Sequence, residues 1–136
     1  MKNSWYDRIL VIDRSVWRCG SDGEFRHGKD ATLLHNAKNG MMCCLGQACL
    51  QSGVAKEKMG RTVSPFYVSQ FLPKYSYLLK EYFGYKTDSE FSNEAMKIND
   101  EKKLSRSGRE LSLFLLGKRH RIWVRFTGSY TDGWSS

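Results

Sequence analysis

Several features that organise many small proteins are scarce or missing in this sequence. Only two prolines occur among 136 residues, so a long proline-rich linker is excluded. The apolar runs are a few residues long, which is too short to cross a bilayer. The apolar stretch of a secretory signal is missing from the N-terminus, which reads MKNSWYDR. We therefore expect a small, soluble, intracellular protein with no membrane partner.

Paired metal-binding or disulfide motifs are also missing, although the chain has four cysteines and three histidines. No two cysteines form a C-x-x-C pair and the histidines are scattered, so we expect no metal site. Cys43 and Cys44 are adjacent, and disulfide geometry prevents them from bridging each other. Together with Cys49 they lie in an apolar run, and we expect all three to be small core residues.

A glycine-rich phosphate loop is missing too. The segment GSDG at 20–23 fits neither a Walker loop nor a dinucleotide fingerprint, and we expect no cofactor. The chain does have 40% hydrophobic and 13% aromatic residues, which favours a folded protein. Its length suits one domain, which we place at 1–128, followed by a polar C-terminal tail at 129–136.

Two short segments have the pattern of β-strands. Arg8–Ile12 is apolar and β-branched, which is typical of a buried strand. Arg121–Phe126 alternates strictly between apolar and other residues, which predicts a half-buried strand able to pair with the first. The outward positions of this second segment are Arg121, Trp123 and Arg125.

The segment Met41–Ser52 is the clearest helix, and it is apolar almost all round. Such a helix belongs in the middle of a domain. Gly46 within it allows close approach of another element, at a cost in helix propensity. The sequence thus predicts an α+β fold in which a small antiparallel or mixed sheet and several helices pack around a central, apolar, cysteine-containing helix.

Four further helices are predicted, at Val54–Met59, Tyr75–Phe83, Ser89–Ile98 and Glu110–Leu116. Asn99 and Asp100 are interpreted as a turn that ends the third of these. Ser107 and Glu110 form a capping-box signature at the start of the last, and Gly117 is expected to end it. The apolar face of that helix is predicted to be Leu111, Phe114 and Leu115.

The formal net charge is +8, which favours an anionic partner such as nucleic acid, a nucleotide or an acidic protein surface. The segment Lys97–Arg125 has nine basic and three acidic residues and carries most of the excess. A solvated face that maintains solubility is the alternative. Trp123 between two arginines could stack on a base or serve as an interface anchor, unless a neighbouring element covers it. The candidate binding residues are Arg109, Lys118, Arg119, Arg121, Trp123 and Arg125.

A cysteine-dependent reaction is a further hypothesis. Cys43 or Cys44 lies near a predicted helix N-terminus, where the helix dipole favours a thiolate. His35 or His120 could act as the base and Asn99 or Asp100 as the orienting group. No local nucleophile signature supports this arrangement, so core packing is the favoured interpretation of the cysteines.

Three short motifs occur in order along most of the chain: DRSVW at 13–17, GMMCCLG at 40–46 and IND at 98–100. This set resembles a family of small, mostly uncharacterised bacteriophage and prophage proteins with D-R-S-x-W, G-K-M-C-C-L-G and I-N-D motifs before a C-terminal helix and strand. Met41 stands where the family has lysine, and the C-terminal strand is more basic than is usual in the family. The resemblance implies a phage accessory protein acting in the cytoplasm of the bacterial host cell.

We therefore expect a protein that binds and inhibits a host factor, such as an antiviral-defence component, in the manner of an anti-CRISPR-like inhibitor. Its partner would be a host protein with an acidic or nucleic-acid-binding surface, and the basic strand face would bind it. Direct binding of DNA or RNA is one alternative. A cysteine-dependent enzyme that modifies a host protein or nucleotide is another.

Overall fold

The computed structural model describes residues 4–18, 34–35, 40–60, 65–66, 68, 80, 90–101 and 103–130. These residues contain strand β1 (Arg8–Asp13), helices α1 (Cys44–Gln51), α2 (Glu90–Asp100) and α3 (Arg106–Arg119), and strand β2 (Ile122–Thr127). A 3₁₀ turn, Lys56–Lys58, lies between α1 and α2. The predicted α+β class is confirmed, as is the burial of the cysteine-containing helix.

The two strands pair with each other, as their patterns predicted, but they run parallel. Arg8 lies opposite Ile122 at one end of the ladder and Asp13 opposite Thr127 at the other. In the part of the chain that the structure describes, the sheet is purely parallel, and the expectation of an antiparallel or mixed sheet was wrong there. Helices α1, α2 and α3 lie between β1 and β2 in the sequence, and such a long connection can make the crossover that parallel strands require.

Helix α3 packs closely on β2 at Gly117. A Cβ atom at this position would lie 2.5 Å from the backbone oxygen of Ile122 and 2.6 Å from a methyl group of Val124. The prediction that Gly117 ends the helix was wrong, because the glycine is inside α3 and permits this contact. The helix continues to Arg119, and Arg121 then adopts a left-handed conformation (φ 59°) before β2 begins.

Helix α1 covers the edge of β1 that does not pair with β2. Two glutamines one helical turn apart bond to the strand backbone there. Gln47 Oε1 accepts the Asp13 amide at 2.7 Å, and its Nε2 donates to the Asp13 carbonyl at 3.3 Å. Gln51 Oε1 accepts the Val11 amide at 3.0 Å, and its Nε2 donates to the Val11 carbonyl at 2.7 Å. These amide groups thus satisfy backbone groups that a third strand would otherwise pair with.

Several helix boundaries differ from the sequence prediction because tertiary contacts set them. Met42 forms a parallel β-bridge with Trp17, so α1 begins only at Cys44. Ser105, not Ser107, caps α3, since its hydroxyl accepts the Gly108 amide at 3.1 Å. The predicted helix Val54–Met59 is reduced to the 3₁₀ turn. The predicted helix Tyr75–Phe83 lies outside the described residues apart from Lys80.

The core lies between the inner face of the sheet and the helices. Trp17 is fully buried, and its ring stacks on Tyr130 with centroids 6.0 Å apart. Gly46 of α1 touches the backbone of Leu34, which confirms the predicted close approach. Among the helices of the described residues, none has the length and apolar character needed to cross a membrane. The larger core side chains include Leu10, Ile12, Met42, Leu45, Met59, Phe91, Leu113 and Ile122.

Candidate functional site

The three sequence motifs meet at the side chain of Asn99, which is 1% exposed. Its Oδ1 accepts the indole N–H of Trp17 at 2.7 Å and the amide of Cys44 at 3.0 Å. Its Nδ2 donates to the Arg18 carbonyl at 3.1 Å and to an Asp100 carboxylate oxygen at 3.0 Å. Both Asn99 and Asp100 belong to α2, so the predicted helix-ending turn at these residues was wrong. Asn99 instead joins α2 to the N-terminus of α1 and to the segment after β1.

A second junction lies around Arg14. Its guanidinium binds both carboxylate oxygens of Glu110 at 2.8 Å and donates to the Gly128 carbonyl at 3.1 Å. Tyr130 also donates to Glu110, at 2.6 Å. The hydrogen bonds from Arg14 and Tyr130 hold the pKa of Glu110 below its ordinary value. This network ties the motif after β1 to α3 and to the residues after β2.

The cysteines in α1 and at its N-cap are surrounded by the protein core. Cys43, Cys44 and Cys49 are buried, with at most 2% exposure, which confirms the prediction that they are core residues. Cys43 Sγ caps α1 by accepting the Gly46 amide at 3.4 Å, and Cys44 contacts the Ala95 carbonyl at 3.8 Å. Burial raises the pKa of the Cys49 thiol well above its ordinary range.

The residues named for a cysteine-dependent reaction are not arranged as a catalytic site in the described part of the chain. Within the described ranges, no hydrogen bond joins His35 or His120 to Cys43 or Cys44, and Asn99 contacts a backbone amide instead of an imidazole. Partial burial and the charge of Lys56 lower the pKa of His35. The same part of the chain holds no group of three His, Cys, Asp or Glu side chains placed to bind a metal ion.

The predicted basic residues divide into two groups. Arg109 is 3% exposed, and its guanidinium donates to the carbonyls of Ile98 and Glu101 at the end of α2. Sequence reasoning placed it with the binding residues, but it is buried and stabilises a helix C-terminus. Arg119 is exposed and lies 3.6 Å from Glu90.

Arg121 is exposed but has an acidic neighbour. It pairs with Asp7 at 3.1 Å and donates to the Ser4 carbonyl at 3.3 Å. In contrast, Lys118 and Arg125 are exposed and have no acidic side chain within salt-bridge distance among the residues the structure describes. The positive charge that remains available to a partner is therefore centred on α3 and the outer face of β2.

Trp123 is half-buried by the segment that precedes β1. Its ring centroid lies 5.1 Å from Tyr6 and 6.5 Å from Trp5, and the Arg125 guanidinium lies over it at 5.0 Å. The covering element foreseen for Trp123 is thus present, but it adds aromatic rings to the surface. Trp5 itself remains 38% exposed. We call this surface the basic–aromatic face and define it as Trp5, Tyr6, Arg121, Trp123 and Arg125.

Helix α3 exposes two leucines beside this face. Leu111 is 59% exposed and Leu115 is 52% exposed, so the predicted inward face of α3 was wrong for both. The inward positions are instead Arg109, Leu113, Leu116 and Gly117. Phe114, between the two leucines, is half-buried and meets Trp5 edge-on at 6.4 Å.

A shallow groove of about 450 Å³ lies along the glutamine edge of β1. Gln47 and Gln51 in its wall already bond to the strand, and Asp13 accepts from the Ser15 amide and hydroxyl at 2.9 and 2.7 Å. These three polar side chains are thus engaged within the protein, unlike Lys118 and Arg125, which have no acidic side chain within salt-bridge distance in the described residues.

Trp5 and Tyr6 were not identified by sequence reasoning as part of the site. An aromatic pair directly before a strand is a weak signal, and its position against Trp123 depends on the parallel pairing of β1 with β2. Comparison with known proteins returns no matching family model, curated protein or solved structure.

Proposed function

We propose that this protein binds an acidic surface of another protein through the basic–aromatic face, and acts by occluding that surface. The observation that carries the proposal is Arg125, which lies 5.0 Å above the Trp123 ring and has no acidic partner within the described residues. Arginine and tryptophan are the side chains that most often dominate binding energy at interfaces. A guanidinium already held over a ring loses less conformational freedom when it binds a carboxylate.

The biological setting that we propose is infection of a bacterium by a phage. The resemblance of the three motifs to those of phage and prophage proteins supports it, and Asn99 contacts residues of the other two motifs directly. In this setting the partner is a host factor in the bacterial cytoplasm, such as a component of an antiviral defence that has an acidic or nucleic-acid-binding surface. Binding would inhibit it by steric exclusion.

The proposal is tested by affinity capture from host lysate, with and without nuclease. We expect a stoichiometric protein partner that resists nuclease and is lost with Arg125→Glu. Lys97→Glu is the matched control, since Lys97 is exposed on α2 beside Glu94, at 3.7 Å. Circular dichroism and thermal melting establish that both variants fold. Equal capture by the wild type and Arg125→Glu would contradict the role of the basic–aromatic face.

Direct nucleic-acid binding is a second candidate, favoured by the same arginine and tryptophan pair. Base stacking on exposed aromatic rings and phosphate contacts with basic side chains would give an affinity that falls steeply with salt. Titration with a labelled single-stranded oligonucleotide at low and moderate salt tests it. Binding that is lost with Arg125→Glu and weakens as salt rises would favour this candidate over protein binding.

A further inference from the structure

We propose that the binding surface extends from the basic–aromatic face onto α3, and that its occupant is an acidic protein segment carrying large apolar side chains. This inference rests on the proposed function and names the class of partner. The added residues are Leu111, Phe114 and Leu115, which we call the leucine stripe. Residues three and four apart lie together on a helix surface, so this stripe is continuous.

Exposure of the leucine stripe is the first observation. Leu111 and Leu115 are 59% and 52% exposed, whereas Leu113 and Leu116 of the same helix are buried. Isolated surface leucines are common, but here two lie one turn apart, with Phe114 on an adjacent position of the helix surface. Burial of such side chains by a partner removes apolar surface from water, which stabilises the complex.

The leucine stripe and the basic–aromatic face are connected by aromatic contacts. Phe114 meets the ring of Trp5 at 6.4 Å, Trp5 lies 6.5 Å from Trp123, and Arg125 lies over Trp123. A single partner segment placed along these contacts would touch leucine methyl groups at one end and a guanidinium at the other. This arrangement, an apolar centre with charge at its border, is typical of protein interfaces.

The charge of the surface indicates the charge that its partner should carry. Lys118 lies three residues after Leu115 and has no salt-bridge partner in the described part of the chain. Two acidic side chains beside basic residues of this region are engaged, since Asp7 pairs with Arg121 and Glu90 with Arg119. Glu110, next to Leu111 in sequence, is held by Arg14. The available charge is positive, so an acidic occupant is complementary.

The leucine stripe also distinguishes protein from nucleic acid. Leucine methyl groups neither stack on bases nor bind phosphate, and single-stranded nucleic-acid sites use aromatic rings and basic side chains. A peptide with aspartate or glutamate near leucine, phenylalanine or methionine uses both parts of the surface. An oligonucleotide would use only the basic–aromatic face.

The test is selection of random peptides about four helical turns long, ~15 residues, against the immobilised full-length protein. Selections run in parallel on the wild type, on Leu111→Ser/Leu115→Ser and on Arg125→Glu. Leu50→Ser is the matched control, because Leu50 is a 38% exposed leucine on α1 that lines the groove along the glutamine edge of β1, outside the leucine stripe and the basic–aromatic face. Thermal melting establishes that each variant folds. The best wild-type peptide and a labelled oligothymidine are then titrated against all four proteins.

We expect the wild type and Leu50→Ser to enrich peptides that combine acidic and large apolar residues. Leu111→Ser/Leu115→Ser should weaken the best peptide about tenfold or more, since two apolar contacts are lost. Arg125→Glu should remove the acidic preference.

Other results overturn the inference, and the first of them separates it from the proposed function. Acidic peptides without apolar enrichment, insensitive to the leucine variant but lost with Arg125→Glu, would refute the leucine stripe and leave the basic–aromatic face in place. Oligothymidine binding tighter than that of any selected peptide would refute a protein partner. If no acidic peptide is enriched, or if Arg125→Glu changes nothing, the inference and the proposed function both fail.

Discussion

Replacement of Asn99 by alanine tests whether one side chain joins the three motifs. The substitution removes the acceptor for two buried donors, the Trp17 indole N–H at 2.7 Å and the Cys44 amide at 3.0 Å. Each buried donor left without a partner costs about 1–3 kcal/mol. The Arg18 carbonyl belongs to a half-buried residue, and water can replace the lost donor there.

We therefore expect Asn99→Ala to lower the free energy of unfolding by about 3–4 kcal/mol, a large part of the usual 5–15 kcal/mol. The melting temperature should fall by about 10 °C or more. Urea unfolding followed by far-ultraviolet circular dichroism measures the change. Lys97→Ala is the control, since Lys97 is exposed on the same helix and its salt bridge to Glu94 lies at the surface, so its replacement should change stability by less than about 0.5 kcal/mol.

A double-mutant cycle with Trp17→Phe makes the test specific. Phenylalanine has no indole N–H, so in the Trp17→Phe background Asn99→Ala removes the acceptor of the Cys44 amide alone. We expect the two substitutions to be non-additive by about 1–2 kcal/mol. A cost below about 1 kcal/mol for Asn99→Ala, or additive effects of the two substitutions, would refute the reasoning.

Three further predictions concern packing, pH and thiol chemistry. Gly46→Ala should cost about 3 kcal/mol or more in urea unfolding, because its Cβ would lie 1.8 Å from the Leu34 backbone oxygen. Gly60→Ala, with no atom within 4 Å of the new Cβ, should cost nothing, and equal effects would contradict the packing. Glu110→Gln should cost about 1–2 kcal/mol at pH 7. Because the folded-state pKa of Glu110 is lowered, this stability is present above its ordinary pKa near 4.5 and is lost as the pH falls. The wild type and variant should thus converge in acid unfolding, and a constant difference down to about pH 3 would be the contrary result. Cys43, Cys44 and Cys49 should resist a thiol reagent in the folded protein and react only on unfolding, whereas rapid labelling of Cys43 or Cys44, located by peptide mass spectrometry, would restore the hypothesis of a reactive cysteine.

The strands and the burial of α1 were predictable because local patterns determine them. The alternation in β2 indicates which positions face the core, and the apolar composition of α1 indicates that the helix is buried. Strand direction was not predictable, because the same alternation suits both orientations. Parallel strands are usually apolar on both faces, but the outer face of β2 carries Trp123 and Arg125.

The remaining errors come from side chains whose roles depend on residues distant in sequence. Asn99 has the composition of a turn, but its partners Cys44 and Trp17 lie 55 and 82 residues away. Gly117 has the signature of a helix end, but β2 lies against it. In the sequence, Arg109 cannot be distinguished from a surface cation, because its burial depends on the carbonyl groups at the end of α2. In the candidate site, the strand arginines were foreseen, whereas the leucine stripe was mistaken for core.

Parallel pairing of β1 with β2 affects the order in which the chain can fold during synthesis. Asp7 and Arg121, at the start of the ladder, are 114 residues apart. At ~5–20 residues per second, the ribosome needs on the order of ten seconds to make β2 after β1. Gln51, in contrast, follows its partner Val11 by only 40 residues. Helix α1 can therefore cover one edge of β1 early, while the opposite edge stays open until translation of α3 and β2 is complete. Throughout that interval the nascent chain presents an apolar strand to other chains, so slow translation of the 3′ half of the message should favour aggregation.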